Sequence, residues 1–308
     1  MSLAFVFPGQ GSQSVGMLKD LAENFSEVSS TFQEASNALG YDLWSLIQEG
    51  PAEKLNSTDI TQPAMLASGV ATWRVWQAKG GAMPSIMAGH SLGEYTALVC
   101  AGSLDFVDAI KLVSQRGKFM MEAVPAGTGA MAAILGLDDE AVRQVCLDAA
   151  EGDVLEAVNY NSPGQVVVAG HKSAIERVTV LAKDKGAKRA LELPVSVPSH
   201  CALMKPAADQ LAEAMNTIQF NAPSIPVLNN VDVTAVNSES EIKDALKRQL
   251  FSPVRWVEIV EKMSADGVDK IIECGPGKVL VGLNKRINKS MATAALIDTA
   301  SIESALEL

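Results

Sequence analysis

The residues with the most evident chemistry are Gly89-His90-Ser91-Leu92-Gly93, a GxSxG segment. Glycines on both sides of a serine suit a nucleophile elbow. Its sharp strand-to-helix turn leaves no room for side chains beside the serine and pushes the hydroxyl out at the sheet edge. The N-terminus of the following helix would stabilise developing negative charge. A tight turn whose serine merely caps a helix would use the same residues. A serine is a weak nucleophile unless a base takes its proton, and the chain has 3 histidines. His90 adjoins Ser91, so their side chains should diverge and His90 reads as a structural hydrogen-bonding residue. His171 opens a helix. His200, in Val197-Pro198-Ser199-His200-Cys201, is the expected base, with a satisfied core histidine as the alternative. A Cys201 nucleophile beside that histidine is disfavoured, again because adjacent side chains diverge. A third group must orient the imidazole, and the acids are too numerous for spacing to choose among them.

Two further features could serve the same reaction. Gly9-Gln10-Gly11-Ser12-Gln13 follows an apolar run, but position 14 is Ser14, so GxGxxG is not met, and no Walker lysine follows. Such a loop can supply one backbone N–H to an oxyanion hole, alongside the N–H of the residue after the nucleophile. Gln10 and Leu92 would be those donors, unless the loop is an ordinary one. From Leu104 onward, Phe106, Val107, Ile110 and Val113 form a helical stripe that continues to Arg116, Gly117 and Met120. A guanidinium on or beside a buried face needs an anion. That anion is either a substrate carboxylate held bidentately or a structural Asp or Glu.

Positioning these groups requires a scaffold. Apolar runs at 3–7 and 85–88 each lead into a glycine-rich turn and a helical pattern, as parallel α/β units do. The second helix should run over 92–101 and stop at Gly102. Between about 127 and 199 the order becomes β-α-β-β-α-β. Strands are predicted at 130–135, 154–160, 165–169 and 189–197, and helices at 138–150 and 173–185. That is the pattern of a ferredoxin-like insert. The α/β rhythm then resumes with a strand at 227–230, a helix at 240–250 and a strand at 270–274. The expected fold class is therefore α/β: a large α/β-hydrolase-like body with a parallel sheet, residues 1–126 and 198–308, carrying a smaller ferredoxin-like (βαββαβ) subdomain, 127–197. A cleft is expected between the two, with His200 beside it.

Composition limits the alternatives. With 308 residues and 48% hydrophobic content the chain can bury a large core. A net charge of −11 disfavours nucleic acid as a partner. No apolar run is long enough to span a membrane, and the N-terminus does not read as a signal peptide, so a cytoplasmic location is expected. Cys100, Cys146, Cys201 and Cys274 are widely spaced, without a CxxC pair, and suggest neither zinc nor disulfides.

In order along the chain, FPGQGSQ, TQPA, GHSLGEY, QRGKFM, PSH, NNVDV, RQLFSPVRW and CGPGKVL resemble segments of the bacterial malonyl-CoA:acyl-carrier-protein transacylases. The resemblance implies Ser91 as nucleophile, His200 as base, Gln10 and Leu92 as oxyanion donors, and Arg116 as a clamp on the malonyl carboxylate. It also implies that the main-chain carbonyl of Gln249 holds the histidine, so that no acid is required. Gln62, Met120 and Asn161 fall in matching segments that line the family's acyl pocket. The implied cycle is ping-pong, from malonyl-CoA to the 4'-phosphopantetheine thiol of acyl carrier protein. CoA and phosphopantetheine act as substrate carriers, and no tightly bound cofactor or metal is expected. A monomer is expected, with Lys188, Arg189, Lys285 and Arg286 as candidate contacts to an acidic carrier.

Overall fold

The computed structural model describes residues 2–195 and 197–307. Among these, strands form at β1 (Leu3–Phe7), β2 (Ile86–Gly89), β3 (Gly129–Leu135), β4 (Leu155–Ser162), β5 (Gln165–His171), β6 (Arg189–Glu192), β7 (Val227–Leu228), β8 (Lys270–Cys274) and β9 (Ala292–Leu296). The larger sheet has the order β7-β2-β1-β8-β9, and every neighbouring pair is parallel. A parallel sheet is covered on both faces, which is why its strands read as continuous apolar runs. The two-residue alternation of β1 sends Phe5 and Phe7 into the core on one side and Ala4 and Val6 into the core on the other.

The first of these cores contains the Thr58–Ala78 helix, which packs against the Phe106–Ala123 helix. Their approach is close at Gly117, where a Cβ would stand 2.5 Å from Asp59 Cα. Any side chain there would push the helices apart and draw Arg116 away from the C-terminal end of β2. Asp105 starts the second helix by accepting from the N–H groups of Val107 and Asp108. The expected stripe is buried at Phe106, Ile110, Val113, Arg116, Gly117 and Met120, while Val107 is half-buried.

The smaller sheet has the order β4-β5-β3-β6 with all pairs antiparallel, the ferredoxin-like arrangement expected of the βαββαβ pattern. Helices Asp139–Ala150 and Lys172–Asp184 cover one face. The other face carries Met131, Val158, Val167 and Ala169 and packs on Cys201. Two backbone bonds stitch β4 to the body, from Val254 N to Val158 O (2.8 Å) and from Tyr160 N to Val254 O (3.0 Å).

Two predicted strands are shorter than expected. The run at 189–197 is a strand only to Glu192; Leu193 N still donates to Met131 O, but Pro194 has no N–H with which to continue the ladder. Ser196, within that predicted strand, lies outside the described residues. The run at 227–230 stops at Leu228, because Asn229 turns the chain by accepting from Asp232 N (2.7 Å) and bonding Thr234 O.

Candidate active site

Ser91 follows β2 directly and adopts φ 51°, a left-handed conformation that a serine holds only when its surroundings enforce it. The flanking glycines make the turn possible. A Cβ on Gly89 would fall 1.8 Å from Gly93 C, and one on Gly93 would fall 2.0 Å from Phe7 O. Asn230 pins the turn from the neighbouring strand end. Its Oδ1 accepts from Ser91 N (2.7 Å) and its Nδ2 donates to Gly89 O (2.7 Å). The helix Gly93–Cys100 begins immediately after, as the elbow geometry requires.

His200 reaches this serine across 109 positions of sequence, with Nε2 2.8 Å from Ser91 Oγ. It also has a left-handed backbone, φ 67°, and its N–H donates to Leu250 O. Its Nδ1 lies 2.7 Å from the main-chain oxygen of Gln249. A carbonyl can only accept, so Nδ1 carries the hydrogen and Nε2 is left to accept from the serine hydroxyl. Burial, then the nearby Arg116 charge, push the imidazole pKa down to about 3, so the resting ring is neutral.

The other two histidines and the cysteine stand apart from this pair. His90 turns away from Ser91, bonding Asn161 Oδ1 through Nε2 (2.8 Å) beside the Trp256 ring. His171 accepts from Val154 N in the smaller sheet. Cys201 directs its thiol at Pro198 O (3.2 Å), and burial raises its pKa to about 12, leaving no thiolate nucleophile there.

Arg116 is 1% exposed and faces the same serine. Nη1 donates to Gln62 Oε1 (2.8 Å), and Nη2 donates to Gln249 Oε1 (3.1 Å) and, at 3.4 Å, to Ser91 Oγ. The plane lies over Tyr95, 5.4 Å from the ring centroid. Among the described residues no carboxylate forms an ion pair with it, and its Nε has no hydrogen-bond partner. Among the described residues no structural acid contacts Arg116 directly; two amide oxygens orient it instead. Gln62 stands behind Arg116 and also donates to Met120 Sδ (3.4 Å).

A cavity of ≈ 220 Å³ opens between the body and the smaller sheet. Ser91, His200, Arg116 and Met120 reach its wall from the body, and Asn161 together with apolar Met131, Val167 and Val195 reaches it from the smaller sheet's side. Gln10 and Leu92 also line it, and among the described residues neither backbone N–H has a protein acceptor. Among those residues no group of three or more His, Cys, Asp or Glu stands together as a metal site.

Three participants escaped the sequence reading. Asn230 secures the elbow, and the Gln249 side chain touches Arg116 in addition to the role of its carbonyl. Glu94, 2% exposed, accepts from Gln249 Nε2 (2.8 Å) and Asn230 N (2.9 Å). Burial raises its pKa to about 7; Gln249, Asn230 and Arg116 pull it back, and Asp232 adds to the rise. Its only signal in sequence is a charge amid the apolar residues Tyr95, Ala97 and Leu98 on a buried helix.

Comparison with known proteins places these features in context. The family model described as acyl transferase domain matches residues 4–303. The malonyl CoA-acyl carrier protein transacylase of Escherichia coli (strain K12) is 62% identical over 305 residues, covering 99% of both chains. An acyl carrier protein S-malonyltransferase structure from Vibrio cholerae superposes with TM-score 0.97 at 64% identity, covering 99% of both chains. A malonyl-transacylase solved in complex with its type II PKS acyl-carrier protein gives TM-score 0.99 at 59% identity, covering 100% of this chain and 99% of that one.

Proposed function

We propose that this chain, which belongs to the acyl transferase domain family, moves a malonyl group from malonyl-CoA to the phosphopantetheine thiol of acyl carrier protein, through an ester on Ser91. The observation that carries the reading is Arg116, a buried cation without a carboxylate partner among the described residues, 3.4 Å from the hydroxyl that His200 also contacts. An acyl group with a free carboxylate supplies the missing anion and is drawn to the serine in the same act.

Malonyl-CoA binds with its carboxylate on Arg116 and its thioester carbonyl toward the N–H groups of Gln10 and Leu92. As the Ser91 oxygen bonds the carbonyl carbon, its proton passes to His200 Nε2. The tetrahedral intermediate places its oxyanion on the two N–H groups, each typically worth about 3 kcal/mol of transition-state stabilisation. The carbon–sulfur bond then breaks, and the CoA sulfur leaves with the proton from His200. In the second half, the carrier's thiol gives its proton to His200 and its sulfur bonds the malonyl carbon. The ester bond breaks, and the proton returns to Ser91. Gln249 O holds the imidazole throughout, and the imidazolium lasts only as long as each intermediate.

Arg116 also disfavours protonation of His200. Malonyl binding neutralises that cation and so raises the histidine's basicity when the substrate is in place. The residues at 127–197 form the inserted unit of this reading and those at 1–126 and 198–308 the catalytic one, with the apolar cleft face of the insert limiting water's access to the ester. No tightly bound cofactor takes part. Exposed Lys188, Arg189, Lys285 and Arg286 are the candidate docking contacts, and Lys285 and Arg286 share the Val279–Ile287 helix with cavity-lining Leu280 and Leu283. Among the described residues no helix is long and apolar enough to cross a membrane. We take the protein to act in the cytoplasm as a monomer.

Intact-protein mass spectrometry after brief mixing with malonyl-CoA tests the reading. The expected result is a malonyl adduct absent from Ser91→Ala and discharged by holo acyl carrier protein. Free malonate without an adduct that the carrier can discharge would indicate a hydrolase instead, and no reaction would leave a docking role only.

A further inference from the structure

We propose that Glu94 is a positioning residue: through the Gln249 amide it holds Arg116 in the orientation that selects a carboxylated acyl group. The inference rests on the malonyl-transfer reading above and assigns its selectivity to a residue that touches neither the serine hydroxyl nor the histidine.

The direction in which one amide faces sets the clamp. Gln249 Nε2 donates to Glu94 Oε2 (2.8 Å) and to Ser91 O (3.1 Å), while its Oε1 accepts from Arg116 Nη2 (3.1 Å). Ser91 O can only accept, Glu94 Oε2 also takes the Asn230 N–H, and a guanidinium only donates. Turning the amide over would set its NH2 against Arg116 and its oxygen against Glu94, breaking both bonds at once in a buried site. Glu94 thereby fixes the polarity of Gln249, and Gln249 fixes one side of Arg116. Gln62 holds the other side (2.8 Å), so the guanidinium stands between two amide oxygens with no freedom to swing. Glu94 also accepts from Asn230 N, whose side chain secures the elbow, so one carboxylate registers the clamp against the nucleophile.

The intervening amide has an electrostatic consequence. A carboxylate in direct contact with Arg116 would neutralise it and compete with substrate. Placed one amide away, Glu94 offsets part of the cost of burying the cation, while among the described residues no acid pairs directly with its donors. Replacing Glu94 by glutamine keeps the shape but supplies both a donor and an acceptor. Its amide can meet Gln249 with either group, so only Ser91 O and Arg116 itself still favour the native orientation of Gln249, and the acceptor facing Arg116 is held less firmly.

The test measures kcat/KM for Ser91 acylation by malonyl-CoA and by acetyl-CoA in the full-length enzyme, for wild type, Glu94→Gln, Gln249→Met and the double variant. Loss of a hydrogen bond to a charged group is worth about 1.5–3 kcal/mol, so the malonyl/acetyl ratio should fall roughly tenfold or more in Glu94→Gln. Gln249→Met keeps the carbonyl that holds His200 and should lower the ratio similarly. The double variant should fall no further than the worse single one. A purely structural role would lower both acyl groups together and leave the ratio unchanged, which overturns the proposal. Additive losses in the double variant overturn it too, since Glu94 would then act independently of Gln249. Should Glu94→Gln not fold, an unchanged ratio in Gln249→Met suffices to reject it. Wild type that forms no malonyl-serine would overturn the transfer reading itself. With wild-type loading intact, the variants judge Glu94 alone.

Discussion

His200 Nδ1 lies 2.7 Å from the main-chain oxygen of Gln249, and this contact takes the place that a carboxylate occupies in a three-membered triad. A neutral carbonyl fixes the tautomer without adding a negative charge to stabilise the imidazolium. Burial and the Arg116 cation are then opposed only weakly, and the ring stays neutral.

That neutrality is directly measurable. With only 3 histidines to assign, the ¹⁵N resonances of His200 should remain those of a neutral imidazole protonated at Nδ1 down to about pH 4. The folded pKa lies below the unfolded value, so between the two the unfolded chain binds the extra proton. His200 therefore subtracts stability as pH falls through that window and has no such effect above it. A His200 resonance titrating near pH 6.5 in the free enzyme would contradict the burial argument.

Arg116→Ala should lower malonyl loading of Ser91 by roughly 100-fold, the value of a charge-assisted pair in a dry site. Acetyl loading should fall much less, reversing the preference between the two acyl groups. Equal losses for both, measured by rapid-quench mass spectrometry, would mean that Arg116 supports the fold and not the substrate.

Gly93→Ala tests the elbow's steric basis. The new Cβ would stand 2.0 Å from Phe7 O, a backbone atom that cannot swing aside. A cost of about 3 kcal/mol or more in folding stability is expected, together with loss of Ser91 acylation. A variant that melts like wild type and still acylates would show that the turn has slack.

Glu273, at the end of β8, is wholly buried and accepts from Val281 N (2.8 Å), while its Oε1 has no partner among the described residues. Burial raises its pKa to about 7, so between the unfolded value and 7 the folded state binds the extra proton. Its contribution to stability is present at acidic pH and declines as pH rises through 7. The folding stability of wild type relative to Glu273→Gln, measured by denaturant unfolding, should therefore drop between pH 5 and pH 8 by an amount on the order of 2–3 kcal/mol. A pH-independent difference would show that Glu273 stays ionised in the fold.

What the sequence determined by itself was local. The elbow was legible because GxSxG places the nucleophile and the glycines that make room for it within five positions. The ferredoxin-like insert followed from alternating periods and turns, and Arg116 on a buried face followed from the helical repeat ending at Met120. His200 could be favoured by elimination among three histidines and by its place where the insert rejoins the body. The Gln249 carbonyl came only from resemblance to a family, since a main-chain oxygen has no signature in side-chain types. Tertiary structure alone decided the rest. Glu94 meets Asn230 and Gln249 across 136 and 155 positions. Those separations are closed by the parallel sheet, which brings the ends of β2 and β7 together, and by the Lys205–Met215 helix, which packs on both the Phe106–Ala123 and the Glu239–Gln249 helices. Periodicity can show that a charge is buried. Which partner it meets is set by the crossing of elements distant in sequence, and that crossing leaves Arg116 between two amides with, among the described residues, no acid in direct contact.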